Sequence, residues 1–152
     1  MERNNVLLEQ IATILRSQDD RTKKAERITE CIRQTGRYRW VGLYEADHQE
    51  IAVIAWNGPN APAYPRFPVT QGLSGDAVRL GTTIVVGSVK EDPRYLTTFE
   101  NTCSEIVVPI KDARTGQVVG MVDVESERQN AFEAEDRLLL EACAHHLSSF
   151  LE

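Results

Sequence analysis

The sequence has few cysteines and no long apolar run, and each absence excludes a class of protein. Cys31, Cys103 and Cys143 are odd in number and widely spaced, so they form neither a CxxC motif nor a disulfide framework. No apolar stretch approaches the roughly 18 residues that a membrane helix requires, and the N-terminal residues do not resemble a signal peptide. We therefore expect a cytoplasmic protein with reduced thiols and no membrane partner.

The sequence also lacks a basic cluster. Its formal net charge is -6, whereas a nucleic-acid partner requires a concentrated basic face. The densest basic stretch, residues 21–27, is interrupted by Ala25 and Glu26 and falls on a predicted helix, so we interpret it as a solvated helix face. We predict no nucleic-acid partner. The length of 152 residues and the 41% hydrophobic content are typical of one globular domain.

The first quarter of the chain is predicted to be helical. After a polar start, apolar residues at helical spacing predict an amphipathic helix from Val6 to about Ser17. Asp19 and Asp20 are candidate N-caps of a second helix, which Gly36 ends.

From residue 38 the pattern is typical of strands. Residues 38–44 and 50–56 predict a β-hairpin, and the four prolines of residues 57–68 predict a loop that crosses to an edge strand. The elements predicted after this loop are a short helix at 72–81, a short strand at 84–86, a loop with about one helical turn from 90, strands at 105–110 and 117–125, and a last helix from 131 or 132 to the C-terminus.

This order of elements predicts an α+β fold. We expect a central antiparallel sheet with the N- and C-terminal helices packed on one face and pocket loops on the other. The whole chain is interpreted as one domain. Its parts are the N-terminal helices at 1–36, the sheet and pocket loops at 37–130, and the C-terminal helix at 131–152.

Five segments occur in an order that resembles a known family. They are Trp40 to Tyr44, Gly72 to Gly75, Ser104 to Ile110, Val119 to Ser126, and Phe132 with Asp136 to Leu139. The set resembles the GAF domain, and within that superfamily it is most similar to the free methionine-(R)-sulfoxide reductases. The resemblance extends from about Trp40 to Leu151, and it implies the GAF fold with a small-ligand pocket.

The resemblance also implies three cysteine positions, which the reductases use for attack on the sulfoxide and for resolving the oxidised enzyme. Here these positions carry Tyr64, Ser74 and Thr98. A hydroxyl cannot replace a thiolate nucleophile that must then form a disulfide. The reductase chemistry would therefore have to depend on another thiol, and Cys103, two residues before Glu105, is the candidate catalytic residue for that alternative.

The resemblance further implies that Glu105, Asp123 and Glu125 hold the amino group of a substrate. Asp123 and Glu125 are two residues apart in an apolar strand, so their side chains share one face. Grouped, partly buried carboxylates need a cation or shared protons. The other interpretation is that these side chains lie in water or pair with arginines. Three arginines are candidates for that pairing: Arg66, Arg94 and Arg114.

Other residues complete the predicted site. The turn of Leu73, Ser74 and Gly75 resembles an anion-binding nest at a helix N-terminus. Trp56 and Tyr64 border the proline-rich loop and are candidates for contact with the apolar middle of a ligand. His145 and His146 point about 100° apart on a helix, so we predict no metal site there.

We therefore expect a non-catalytic GAF sensor module that binds a zwitterionic or cationic metabolite, such as a free amino acid derivative. The alternatives are a divergent methionine sulfoxide reductase that uses Cys103, and a dimeric scaffold with a vestigial pocket. We predict no metal and no cofactor. The expected partners are the small-molecule ligand, a second copy of the chain bound through the terminal helices, and a separate signalling protein.

Overall fold

The computed structural model describes residues 2–151, which form a six-stranded sheet with four α-helices. The strand order is β3-β2-β1-β6-β5-β4, and every neighbouring pair is antiparallel. The elements are α1 (Glu2–Arg16), α2 (Arg21–Gly36), β1 (Trp40–Ala46), β2 (Glu50–Asn57), β3 (Arg66–Pro68), α3 (Gly72–Leu80), β4 (Ile84–Val86), a 3₁₀ turn (Val89–Glu91), β5 (Ser104–Lys111), β6 (Val118–Ser126) and α4 (Ala134–His146). The predicted α+β class is confirmed.

The two N-terminal helices form as predicted, with one difference. Asp20 caps α2 by accepting a hydrogen bond from the Lys23 N–H at 2.8 Å, and α2 ends at Gly36 before the left-handed Arg37. The polar start was predicted to lie outside α1, but the helix begins at Glu2. Residues 2–5 contain neither glycine nor proline, so nothing stops this exposed turn from extending the amphipathic helix.

The last helix is shorter than predicted. It begins at Ala134 because Glu133 and Asp136 form a reciprocal capping box. It ends at His146 instead of continuing to the C-terminus, since the Leu147 N–H bonds to carbonyls three and four residues back and the chain turns there. Leu147 is nevertheless fully buried, so the predicted apolar contact is made by a turn.

The two faces of the sheet carry different cores. The helices pack on one face, where Ile28 and Leu140 meet Val122 and Val124 of β6. On the opposite face, α3 and the loops enclose a second cluster that includes Met121 of the same strand. This arrangement confirms the predicted division between terminal helices and pocket loops. No helix within residues 2–151 is long and apolar enough to cross a membrane.

Candidate functional site

Three acidic side chains meet on the loop-covered face where β5 pairs with β6. Glu105 lies opposite Glu125 in the ladder, and Asp123 lies opposite Val107. Strand alternation places Asp123 and Glu125 on one face, as predicted. One carboxylate oxygen from each of the three residues lies within 4.8 Å of the others. We call Glu105, Asp123 and Glu125 the carboxylate cage.

The carboxylate cage is buried and has no basic partner. Glu105, Asp123 and Glu125 are 4%, 3% and 1% exposed, and none of the ion pairs formed by residues 2–151 includes them. Arg66 instead pairs with Glu50, and Arg94 with Asp76 and Asp92. The interpretation that the acids lie in water or pair with these arginines is therefore wrong.

Two oxygens of the cage have unused hydrogen-bonding capacity. Asp123 Oδ1 and Glu125 Oε2 are buried and have no hydrogen-bond partner in the described part of the chain. The other oxygen of Glu125 accepts a hydrogen bond from the Tyr95 hydroxyl at 3.2 Å. Buried polar atoms are normally hydrogen-bonded, so these two oxygens mark the cage as a position that favours an added donor or cation.

Burial sets the protonation of the cage. Desolvation, followed by the nearby Glu125 carboxylate, raises the pKa of Glu105 to about 8. Desolvation also raises the pKa of Asp123 well above its ordinary range, and the nearby Glu105 carboxylate adds to the effect. The pKa of Glu125 is raised well above its ordinary range by desolvation and then by the Asp123 carboxylate. Near neutral pH the cage therefore retains protons, because three adjacent buried carboxylates cannot all ionise without a cation.

A small cavity borders the cage. Its volume is about 20 Å³, which is room for about one water molecule. An amino acid is several times larger, so it fits only if the covering loops move. The residues that line this cavity are Tyr44, Tyr64, Phe67, Gly72, Leu73, Ser74, Leu96, Thr98, Glu105 and Asp123.

The N-terminus of α3 faces the same cavity, with one change from the predicted donor set. The Gly75 N–H already bonds to the Gln71 carbonyl at 3.1 Å, so it is not available to a ligand. Gly72, Leu73 and Ser74 open the helix, and among residues 2–151 their N–H groups have no partner. Gly72 has φ of +75°, a left-handed conformation that glycine adopts readily.

The remaining predicted site residues separate into two groups. Tyr64, Ser74 and Thr98, which the resemblance placed at the cysteine positions, line one cavity together. Trp56 is half-buried on β2 and is not among the lining residues. Cys103 is also absent from the lining, and its Sγ lies 3.8 Å from the Asn101 carbonyl.

Two tyrosines were not among the predicted site residues. Tyr44 lines the cavity, and burial together with the cage carboxylates raises its pKa well above the usual value. Its position two residues from Gly42 on an apolar strand was the available signal, but that pattern is equally typical of core. Tyr95 lies in a loop with no periodicity, so nothing in the sequence indicated its bond to Glu125.

The loop that carries Tyr95 is attached to α3 by a chain of ion pairs. Arg94 donates to Asp92 at 2.7 Å and to Asp76 of α3 at 3.0 Å, and Asp76 also pairs with Arg79. Arg79 in turn donates to the Val69 carbonyl at 2.5 Å. We call residues 92–102 the lid, because they cover the cage while these charged side chains hold them at the surface.

Three larger depressions lie elsewhere on the described part of the molecule. Two of them, of about 550 and 480 Å³, are near Gly81 and Lys111, and the third, of about 280 Å³, is near Glu50 and Arg66. The buried polar atoms that lack partners within residues 2–151 belong to the cage and not to these depressions. The cavity beside the cage is therefore the better candidate site, because it borders buried carboxylates and the larger depressions do not.

Comparison with known proteins agrees with the fold. The GAF domain family model matches residues 19–152. The free methionine-R-sulfoxide reductase of Neisseria meningitidis, solved with its substrate, is 28% identical with a TM-score of 0.85, covering 97% of this chain and 87% of that one. A putative GAF sensor protein from Burkholderia vietnamiensis is 30% identical with a TM-score of 0.85, covering 99% and 92%.

A third relative extends the likeness beyond bacteria. GAF domain-containing protein A of Dictyostelium discoideum is 28% identical over 135 residues, which is 88% of this chain and 83% of that protein. Together with the family match, these similarities cover the sheet, the cage and the terminal helices. The chain belongs to the GAF domain family, a small-molecule-binding sensor fold.

Proposed function

We propose that this GAF domain binds a small zwitterionic or cationic metabolite, such as a free amino acid or a derivative, without chemistry on it. The observation that carries the proposal is the carboxylate cage, with two unpaired buried oxygens and no basic partner within residues 2–151. A cation bound there would supply the missing donors and allow the carboxylates to ionise together.

An ammonium group suits this cage. It has three N–H donors, and the cage offers one carboxylate oxygen from each of three residues within 4.8 Å. Charge-assisted hydrogen bonds of this kind are about twice as strong as neutral ones. Because the unliganded cage retains protons, binding of a charged amine should release them.

The opposite charge of the ligand would bind at the start of α3. Gly72, Leu73 and Ser74 line the same cavity as Glu105 and Asp123, and the helix dipole favours an anion there. A zwitterionic amino acid needs one site of each sign. The two sites border one cavity, which supports a ligand that carries both charges close together.

The side chains that line the cavity support binding without catalysis. Tyr64, Ser74 and Thr98 line the cavity and carry hydroxyls, none of which supplies a thiolate. The Neisseria meningitidis relative is named as an enzyme, but this chain carries hydroxyls where the resemblance implies cysteines. Binding is therefore the function that the lining residues favour.

Ligand entry would require the lid to move. The cavity of about 20 Å³ is too small for an amino acid. We propose that the lid and the loop of residues 57–65 open to admit the ligand and then close over it. The reordered loops, together with the terminal helices, would report binding to a separate signalling protein.

A thermal-shift screen tests the proposal. The probes are free amino acids, their sulfoxides and guanidino compounds, and the control is the double variant Glu105→Gln, Asp123→Asn. A ligand at 100 times its Kd should stabilise the wild type by about 2.7 kcal/mol. The double variant should not respond. If both proteins respond equally to the best ligand, the cage is not the binding site.

The reductase alternative has its own test. Cys103 is the thiol nearest in sequence to Glu105, and the structural likeness to reductases keeps this candidate open. A coupled NADPH-oxidation assay with free methionine sulfoxide and an external thiol-reducing system should show no turnover by the wild type. Turnover that is lost in Cys103→Ser would replace the binding proposal by a catalytic one.

We also propose that two copies associate through the terminal helices. Val6 of α1 and Leu138 of α4 are large apolar side chains that are 53% and 68% exposed. Light scattering should give the mass of a dimer for the wild type and a lower mass for Leu138→Lys. A monomeric wild type would contradict this arrangement.

A further inference from the structure

The carboxylate cage has a second feature besides its charge, which is the small space beside it. The cavity of about 20 Å³ that Glu105 and Asp123 line accommodates one water-sized occupant with the lid closed. An organic ligand requires the lid to open, whereas a single metal ion does not. The closed conformation therefore matches a monatomic cation in size.

The spacing of the cage oxygens is within the range that a calcium ion can bridge. Calcium binds oxygens at about 2.3–2.6 Å, so oxygens on opposite sides of the ion are separated by about 4.6–5.2 Å. The three cage oxygens lie within 4.8 Å of one another. Asp123 Oδ1 and Glu125 Oε2 add an independent indication, because both are buried and lack a partner among the described residues.

The donor set selects a class of metal. All cage donors are carboxylate oxygens, and neither histidine nor cysteine is among the residues that line the cavity, so ions that prefer nitrogen or sulfur are disfavoured. Magnesium usually keeps several water ligands, for which the cavity has no room. Calcium accepts oxygen ligands in flexible geometry, and each of the three cage residues can contribute one carboxylate oxygen.

The charge balance also suits a divalent ion. Three ionised carboxylates carry three negative charges, and no ion pair within residues 2–151 offsets them. A divalent cation neutralises two of these charges, and one retained proton neutralises the third. The buried cage would thus become neutral overall, which lowers the cost of burial.

We infer that the carboxylate cage binds Ca²⁺ in the closed conformation through Glu105, Asp123 and Glu125. This site requires no organic ligand, so it stands independently of the proposed metabolite. Because both cations would use the same oxygens, Ca²⁺ and an amine ligand exclude each other. The concentration of Ca²⁺ would then determine the fraction of the protein that can bind the amine ligand.

Terbium luminescence tests the inference directly. Tb³⁺ substitutes for Ca²⁺, and excitation of Tyr95, which bonds to Glu125, and of Tyr44, which lines the cavity, should sensitise its emission. After chelator treatment, the wild type should show saturable emission that Ca²⁺ displaces at lower concentrations than Mg²⁺. Ca²⁺ alone should also raise the midpoint of thermal unfolding.

Matched variants distinguish Tb³⁺ binding at the cage from binding at acidic side chains on the surface. Asp123→Asn and Glu125→Gln should each weaken Tb³⁺ binding at least tenfold, whereas Glu45→Gln, which removes one exposed charge, should leave it unchanged. Circular dichroism checks that each variant is folded. The inference is overturned if the wild type shows no saturable, Ca²⁺-displaceable emission, or if Asp123→Asn binds as well as the wild type.

A competition experiment separates this inference from the proposed function. Saturating Ca²⁺ should weaken the stabilisation by the best amine ligand of the screen. A wild type that responds to the amine but not to Tb³⁺ or Ca²⁺ contradicts the metal site alone. A wild type that binds Tb³⁺ but responds to no organic compound contradicts the metabolite proposal alone.

Discussion

The two faces of the sheet are built from the same strands but have different roles. On the helix face, Val122 and Val124 of β6 pack against an apolar core. On the other face, the alternating residues Met121, Asp123 and Glu125 place two carboxylates in surroundings that are equally buried. The first face lowers the free energy of folding, whereas the second buries three carboxylates that need retained protons or a cation. Such a cost is typical of a binding site.

The largest expected loss of stability comes from a substitution on the helix face. Leu140 is fully buried between α4 and the sheet, so Leu140→Ala removes packed methyl groups and leaves a cavity. We expect a loss of about 2–5 kcal/mol in the free energy of unfolding, measured in urea. A loss below about 1 kcal/mol would show that this face is not the main core.

Most of the fold could be predicted from the sequence because its signals are local. Asp20 and Gly36 bound α2, and the alternation in β6 placed Asp123 and Glu125 together. The end of α4 could not be predicted, since Leu147 stays buried in a turn and keeps the apolar periodicity. Pattern alone shows burial, but not the backbone conformation that achieves it.

The site was less predictable than the fold. The cage followed from strand spacing and the family resemblance, but its contacts depend on loops. Tyr95 reaches Glu125 from the lid, and the lid is positioned by the pairing of Arg94 with Asp76. Gly75 was wrongly included as a ligand donor because the sequence does not show where the first helical hydrogen bond forms.

The next largest effect is a dependence of stability on pH that arises on the pocket face. The folded pKa of Glu105 is about 8, against an ordinary value of 4.5, so the folded state binds more protons than the unfolded state between these values. The free energy of unfolding should therefore fall as pH rises through this window, by at most about 1.4 kcal/mol per pH unit for one proton. Urea unfolding at pH 5, 6, 7 and 8 measures the slope.

Glu105→Gln is the matched variant for this experiment, because it removes the titrating proton and keeps the shape. Its pH profile should be flatter than that of the wild type, and it should be the more stable protein at pH 8. Leu140→Ala should shift the profile without changing its slope. Equal slopes in the wild type and in Glu105→Gln would contradict the account of a protonated cage.

The smallest effect should come from the lid. Tyr95→Phe removes the hydroxyl that donates to Glu125 and leaves the ring in place. We expect a loss of about 0.5–1.5 kcal/mol in the free energy of unfolding, since one partly buried hydrogen bond is lost. The same change should weaken sensitised terbium emission only slightly, because the cage oxygens remain. If Tyr95→Phe lost more free energy of unfolding than Leu140→Ala, the pocket face and not the helix face would contribute more to stability.

The most direct test of the central claim is the proton balance of ligand binding. Titration calorimetry of the best amine ligand at pH 7, in two buffers with different ionisation enthalpies, gives the number of protons released. The cage account predicts net proton release and an affinity that rises from pH 6 to pH 8. It also predicts that Glu105→Gln releases fewer protons than the wild type. Binding with no proton release and no dependence on Glu105 would contradict the claim that the carboxylate cage is the ligand site.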